Sequence, residues 1–406
     1  MKVVIAGAGI GGLALAQALV AAGDEVTIVE RDQGIEDTAG YRLHLSGSAC
    51  AVLRRHVAPE TWEMLLAGSA RAAAVSRLVV HDHRLRLLGT PRIDPAEELL
   101  FVDRRVLRRA LLREVAGCVL WAQPVVGFDQ GPEDVQVHTA KGTHHADLLV
   151  GADGPRSVVS TRLAGRAPAR DLGIAGLAGR VPLTAAGSLS DLVTEAGLLA
   201  IGPDGLGLFL TCTTVPNRAA VDPAHHAMPV DPELIWSVIG PAGRIGSSIV
   251  GLDEVLRGWD SRVRSLPGLS DRASISRFPF LAADPRRELM PWPAGRVTAL
   301  GDAVHAMPPT GGQGAATAIR DAGVLAEVLQ SARSGASTLP VALADYQRRM
   351  TAYAPAAVAE SLEPLRWMRL LGRPGLKPAA SAVLSALAAG ASLSRQTRAL
   401  WRGAVA

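Results

Sequence analysis

A glycine-rich turn lies between an apolar strand and a helix near residue 10, and a second apolar strand follows, ending in an acid at residue 30. Later strand–turn segments of the same kind are separated by long runs of short strands. These three observations predict an α/β fold: a Rossmann-like nucleotide-binding domain interleaved with a mixed β-sheet domain and followed by C-terminal helices. The 406 residues are 48% hydrophobic and 20% charged, enough for a sizeable core and for two domains rather than one small module.

In order along the chain, Lys2–Gly7 reads as a buried strand, Gly12–Ala22 as a helix and Glu25–Glu30 as a second strand, which together begin a βαβ unit. From Ser76 to Phe101 short alternating runs predict antiparallel strands, and Val102–Ala116 returns to helical period. Val135–His138 and Asp147–Val150 read as strands. Residues 166–288 are strand-like with Gly- and Pro-rich turns and a helical stretch near Leu234–Ile239. Gly173–Gly179 reads as a linker. Arg296–Leu300 is a short strand, Gly314–Leu329 a helix, and the remainder is helical with a break at Arg373-Pro374-Gly375. The expected boundaries put nucleotide-domain pieces at 1–75, 101–165 and 289–340. Substrate-domain pieces fall at 76–100 and 166–288, and a helical region at 341–406.

Composition narrows the function classes. Forty-two basic residues against 38 acidic ones give a net charge of +4, spread along the chain, so no nucleic-acid partner is expected. The densest basic cluster, Arg104–Arg113, reads as a solvated helix face with one anion-binding arginine. Cys50, Cys118 and Cys212 are far apart and show no metal-ligand spacing, so reduced thiols, no metal site and a cytoplasmic location are expected. No signal-peptide pattern opens the chain. Its longest uncharged run, Pro378–Ser394, is too short and too weakly apolar to span a bilayer, so no membrane partner is expected. A monomer or a homodimer is expected.

The sharpest motif is Gly7-Ala8-Gly9-Ile10-Gly11-Gly12, a G-x-G-x-x-G directly after a strand and at the start of a helix. Gly7 permits the tight turn, Gly9 lets backbone approach a pyrophosphate, and Gly12 lets helix and strand pack closely. The helix N-terminus offers free N–H groups to the phosphates. Glu30, at the end of the second strand, is placed to hydrogen-bond ribose hydroxyls. It disfavours a 2′-phosphate there but does not separate FAD from NAD. Ile10, Gly11 and Arg31 fall in the same candidate site.

Two further segments resolve that choice by resemblance. Gly151-Ala152-Asp153-Gly154, at a strand end, resembles the DG motif of the para-hydroxybenzoate hydroxylase-like flavoprotein monooxygenases. Gly301-Asp302-Ala303-Val304-His305, with Pro308-Pro309 and Gly311-Gly312-Gln313-Gly314, resembles their GD motif. The resemblance implies FAD, with Asp302 accepting hydrogen bonds from ribityl hydroxyls. It also implies that Pro309, Gly312, Gly314 and Ala315 lie by the flavin ring, and that Asp153 and Gly154 serve FAD and the reductant. Asp103-Arg104-Arg105-Val106-Leu107 resembles the family's R-x-x-L helix start, which implies that Arg104 contacts FAD, with Arg105 next in line. Gly40-Tyr41-Arg42-Leu43 resembles the segment beside the FAD pyrophosphate or ribityl chain, with Arg42 in that role. The chain departs from the family pattern at Ser160, where an arginine is usual, and at Ala316, where an asparagine is usual. His305 reads as a packing residue.

The resemblance implies that NADH or NADPH, bound transiently, reduces FAD. It further implies that O2 adds at the flavin C4a position and that the resulting hydroperoxide delivers one oxygen to an aromatic or polyketide-like small molecule. No protein-borne nucleophile or acid–base pair stands out, so the catalytic residues are left unassigned. His44, His81 and His83 lie in segments that reach toward the substrate but carry no mark of acid–base work. The expected pocket is mainly apolar, lined by Leu208–Thr213 and Phe278–Leu281. Open alternatives are an FAD-dependent epoxidase, reductase or dehydrogenase of the same fold, an NAD-dependent dehydrogenase, or a non-catalytic flavin-fold binding module.

Overall fold

The computed structural model describes residues 1–36, 42–71, 79–90, 100–193, 197–213 and 232–371. Gly40, Tyr41, the Arg373–Gly375 break and the Pro378–Ser394 run therefore lie outside the described residues. Within them, no helix is long and apolar enough to cross a membrane.

A five-stranded sheet forms the first layer, in the order Val297–Ala299, Leu148–Gly151, Lys2–Ala6, Glu25–Val29, Val119–Leu120, with every neighbouring pair parallel. Its central strands are almost wholly apolar because helices and a second sheet bury both faces. On one face the Ile10–Ala21 helix packs against the Gly314–Arg333 helix. On the other, an antiparallel sheet of Val125–Gln130, Val135–Thr139 and Gly142–Ala146 closes a smaller core. The loops that leave the C-terminal ends of the parallel strands all open on one side. That is where sheets of this type bind ligands.

A seven-stranded mixed sheet forms the second layer, in the order Ser276–Ala282, Arg170–Pro182, Glu233–Pro241, Gly207–Cys212, Leu198–Ile201, Val79–Asp82, Leu87–Gly89. All its pairs are antiparallel except Leu198–Ile201 with Val79–Asp82. One face buries Leu177, Leu208, Leu210, Leu234, Trp236 and Val238 under the Ser261–Leu269 helix. On the other face, Ile174, Ile239 and Phe280 meet Leu365 and Met368 of the Ala354–Leu371 helix. That last helix thus straps the second sheet to the first layer.

Three sequence expectations are corrected here. Leu234–Ile239 is not helical but lies within the Glu233–Pro241 strand. A run of six residues, apolar but for Ser237, does not distinguish helix from buried strand by period, and its Ile, Trp and Val content favours the pleated surface. Gly173–Gly179 is no linker but part of the 13-residue central strand. Its glycines are packing devices: a Cβ on Gly176 would stand 2.4 Å from the Phe278 ring, and one on Gly179 would stand 2.7 Å from the Trp236 ring. Val102 and Asp103 belong to the Leu100–Asp103 strand, so the helix starts only at Arg104.

Trp236 is fully buried, and its indole N–H donates to Ser270 Oγ at 2.7 Å. Trp236→Ala is expected to lower the unfolding free energy by about 3–5 kcal/mol, read from urea denaturation. A loss under about 1 kcal/mol would show that this face is not the sheet's core.

Candidate active site

The cleft begins at the glycine turn. Gly7 has φ +108°, and a Cβ there would stand 2.4 Å from the Ala152 carbonyl oxygen. A Cβ on Gly12 would stand 2.1 Å from the Gly7 carbonyl oxygen, and one on Gly11 would stand 2.7 Å from Leu300. Gly9 differs, because its Cβ would meet nothing closer than 3.9 Å, so its bare backbone leaves open space before the helix. The helix from buried Ile10 has no side-chain cap. Its first N–H groups and its positive dipole end are therefore available to an anion.

Glu30 is buried. One oxygen accepts the Ala8 N–H at 2.5 Å and the other the Asp32 N–H at 2.9 Å. Each oxygen retains a second lone pair for a ribose hydroxyl. Arg31 is exposed, with Nε 3.8 Å from Asp32. Arg108 overturns the reading of 104–113 as a solvated face with one anion-binding arginine. It is 3% exposed and its Nε donates to the Ala8 carbonyl at 2.9 Å, while Nη2 lies 3.3 Å from Asp32 and 3.9 Å from Glu30. The signal was present in the sequence, since Arg104, Leu107, Arg108 and Leu111 share one inward helical stripe. Burial, then the Glu30 charge, raises the Asp32 carboxyl above its ordinary value against the pull of Arg108.

Asp302 follows Gly301, whose φ is +63°. The Asp302 side chain has surface open to the cleft, yet protein crowds it closely enough that lost solvation raises its carboxyl pKa. The His305 and Arg104 charges oppose that rise. A Cβ on Gly314 would lie 3.9 Å from Asp302 Oδ1, so the two ends of the GD motif meet. The Gly314–Arg333 helix has no side-chain cap, leaving the Gly314 and Ala315 N–H groups for a negative edge. Pro309 opens the short turn before it, and Gly312 has φ +66°.

A Cβ on Gly312 would stand 2.7 Å from His44 Nδ1, which brings His44 against this loop, a placement that sequence reasoning missed. Burial, then the nearby Arg42 charge, lowers His44 to about 4, so it is neutral at physiological pH. The Arg42 guanidinium lies over the Phe101 ring, 4.4 Å from its centroid, and Nη1 donates to Thr211 Oγ1 at 3.3 Å. It therefore reaches the second sheet. Arg105, next in line for FAD, instead pairs with Asp103 and Glu233.

Asp153 Oδ2 accepts the Val158 N–H at 2.8 Å, while its Oδ1 is covered and has no hydrogen-bond partner among the described residues. Burial raises this carboxyl, against hydrogen bonds from Ser157 and the backbone. Gly154 has φ +82°. Ser160 is buried, and Arg162 lies over Phe128 and pairs with Asp129 on the outer three-stranded sheet, so it does not occupy the place of the usual arginine.

The inward face of the second sheet forms the opposite wall. Alternation sends Leu208 and Leu210 to the far core, so Phe209 and Thr211 are the inward side chains. Phe209 pairs with Ser237, and Ser237 with Ala178; all three are half-buried. The Phe278 ring lies across Gly176 beside them. The wall is thus apolar at Phe209, Ala178 and Phe278, while the Ser237 hydroxyl is covered and that of buried Thr211 is held by Arg42.

His305 is more than a packing residue. It is fully buried, with Nε2 2.5 Å from Asp321 Oδ2. Burial lowers its pKa, but the Asp321 charge and hydrogen bond, with the Asp302 charge, outweigh this and raise it above 6.5. A raised folded-state value stabilises the fold fully below the unfolded value, and that contribution is lost as pH rises through the folded value. The melting temperature of the wild type should therefore fall relative to His305→Gln as pH rises from 6.5 into the alkaline range in thermal melts. Parallel curves would show an uncharged pair.

Comparison with known proteins agrees with this geometry. A family model described as FAD binding domain matches residues 274–361. A dual O-methyltransferase/FAD-dependent monooxygenase of Phaeosphaeria nodorum is 29% identical over 384 residues, covering 82% of this chain and 40% of that protein. The chain thus spans less than half the length of that relative. A 3-amino-4-hydroxybenzoate 2-monooxygenase of Streptomyces platensis is 28% identical over 348 residues, covering 82% of this chain and 80% of that one. The solved structure of a Photorhabdus luminescens protein assigned as an FAD-containing monooxygenase superposes with a TM-score of 0.73 at 28% identity, covering 90% of this chain and 97% of that one. By its motifs and by these matches, the chain resembles the para-hydroxybenzoate hydroxylase-like FAD-dependent monooxygenases.

Proposed function

We propose that this chain is an NAD(P)H-driven, FAD-dependent monooxygenase that hydroxylates an aromatic or polyketide-like small molecule. One observation carries the reading. An uncapped helix start behind Gly9, the Asp302 carboxyl and a second uncapped helix start at Gly314, where a Cβ would lie 3.9 Å from Asp302 Oδ1, come together on the open side of the parallel sheet. The name of one relative, a monooxygenase acting on a hydroxybenzoate, supports an aromatic substrate.

The residues fit FAD. The backbone around Gly9 and the N–H groups of the Ile10–Ala21 helix hold the pyrophosphate, and Glu30 the adenosine ribose. Asp302 accepts from the ribityl hydroxyls, while the Gly314 and Ala315 N–H groups stabilise the negative charge of a reduced pyrimidine edge. Bound FAD, reduced by NADH or NADPH, supplies the activation of O2 and the delivery of one oxygen atom, the other leaving as water. The Phe209–Ser237–Ala178 row holds a planar ring and keeps bulk water away. His44, neutral beside Gly312, can accept a hydrogen bond from a substrate hydroxyl.

Reconstituted with FAD, NADPH or NADH and a panel of phenols, the protein is expected to show substrate-stimulated nicotinamide oxidation. Under labelled O2, one labelled oxygen atom should enter the product, read by mass spectrometry. An unlabelled product would exclude the monooxygenase reaction, and a bound flavin that neither nicotinamide reduces would favour a binding module.

A further inference from the structure

One buried carboxylate ties together two segments of the GD motif and a third segment beyond it. Asp321 lies two turns into the Gly314–Arg333 helix and is fully buried. Its Oδ2 accepts the Gly301 backbone N–H at 2.9 Å and faces His305 Nε2 at 2.5 Å. Its Oδ1 accepts the Tyr353 hydroxyl at 2.5 Å. The three partners come from the turn before Asp302, from the short helix that Asp302 opens, and from the segment leading into the Ala354–Leu371 helix.

A carboxylate with no access to water is costly unless hydrogen bonds and charge compensate it, so its partners define its role. Space is also limiting. A Cβ on Gly301 would stand 3.2 Å from Ala318 Cβ, one helical turn from Asp321, so the turn is pressed against the helix that holds it. Around Tyr353, the Arg320 guanidinium covers the ring at 3.7 Å, and Tyr346 donates to the Ala299 carbonyl in the strand before the turn.

We propose that Asp321 is a positioning residue for FAD. By holding Gly301 and His305 it fixes Asp302 relative to the N-terminus of its own helix, so that ribityl chain and pyrimidine edge are gripped by one rigid unit. This rests on the FAD reading of the cleft. Asp321 itself touches no cofactor; it acts through Asp302 and through Gly314. Displacing it shifts both grips together, whereas a loss of packing elsewhere lowers stability alone.

The test measures FAD affinity by fluorescence titration of the apoprotein and the flavin midpoint potential by dye equilibration. Asp321→Ala removes all three acceptor contacts. Asp321→Glu keeps the charge but moves it outward by one methylene, which serves if the alanine variant does not fold. Either variant is expected to weaken FAD binding by about tenfold or more and to shift the midpoint potential. Tyr353→Phe, which leaves the Gly301 and His305 contacts, should bind within about twofold of the wild type. Leu343→Ala, at a fully buried packing site, should lower the melting temperature but leave the potential unchanged. Asp321 variants with wild-type affinity and potential, in a protein whose wild type binds FAD, would overturn the proposal alone. A wild type that binds no FAD would overturn the reading of the cleft as well.

Discussion

The architecture depends on backbone approaching backbone more closely than side chains allow. Gly7 and Gly12 let the first strand, the first helix and the Ala152–Gly154 segment converge, with would-be Cβ positions 2.4 Å and 2.1 Å from carbonyl oxygens. Backbone cannot yield as a flexible side chain can, so any Cβ here would part the helix from the sheet. The same convergence sets the helix N-terminus at the cleft and puts the DG segment directly against the glycine turn. Binding geometry and packing geometry are one constraint at this point.

Much of this was legible because it is local. The Lys2–Ala6 strand, the helix after it and the Glu25–Val29 strand follow from apolar runs and glycine placement within 30 residues. Asp302, Gly314 and Arg104 came from the motif resemblance, and the structure brings Gly314 against Asp302. What could not be read was set by partners distant in sequence. Glu233–Pro241 is a strand because Arg170–Pro182 and Gly207–Cys212 flank it on either side. The glycines at 176 and 179 look like flexibility until the rings of Phe278 and Trp236 are laid across them. His44 has no motif of its own, and only the fold brings it to Gly312.

Charge shows the same division. Arg104 to Arg113 looks like a uniform basic run, yet its members have different work. The Arg104 charge acts on Asp302, Arg105 bridges to Glu233 on the second sheet, Arg108 is buried among Ala8, Glu30 and Asp32, and Arg109 pairs with Glu36. Helical periodicity distributes them: positions 104 and 108 lie one turn apart on the inward side, while 105 and 109 turn away together. Net charge along a segment therefore says little about the field in the cleft.

A common device holds the loops at the C-terminal ends of the parallel strands. After Lys2–Ala6, the Ala8 N–H is held by Glu30 from the neighbouring strand's end. After Val297–Ala299, the Gly301 N–H is held by Asp321 from the helix behind it. After Leu148–Gly151, Asp153 turns its carboxylate onto the Val158 N–H. In each case an acidic side chain, largely withdrawn from water, takes up a backbone donor that a tight turn would otherwise leave unsatisfied. A loop held by a hydrophobic contact can slide, whereas a hydrogen bond to a carboxylate fixes both distance and direction. Positions facing a cofactor need that precision, because a pyrophosphate or ribityl chain rewards donors and acceptors only at hydrogen-bond distance. The cost of burying Glu30 and Asp321, and of half-burying Asp153, is therefore a structural argument that these loops serve a ligand rather than merely connecting strands.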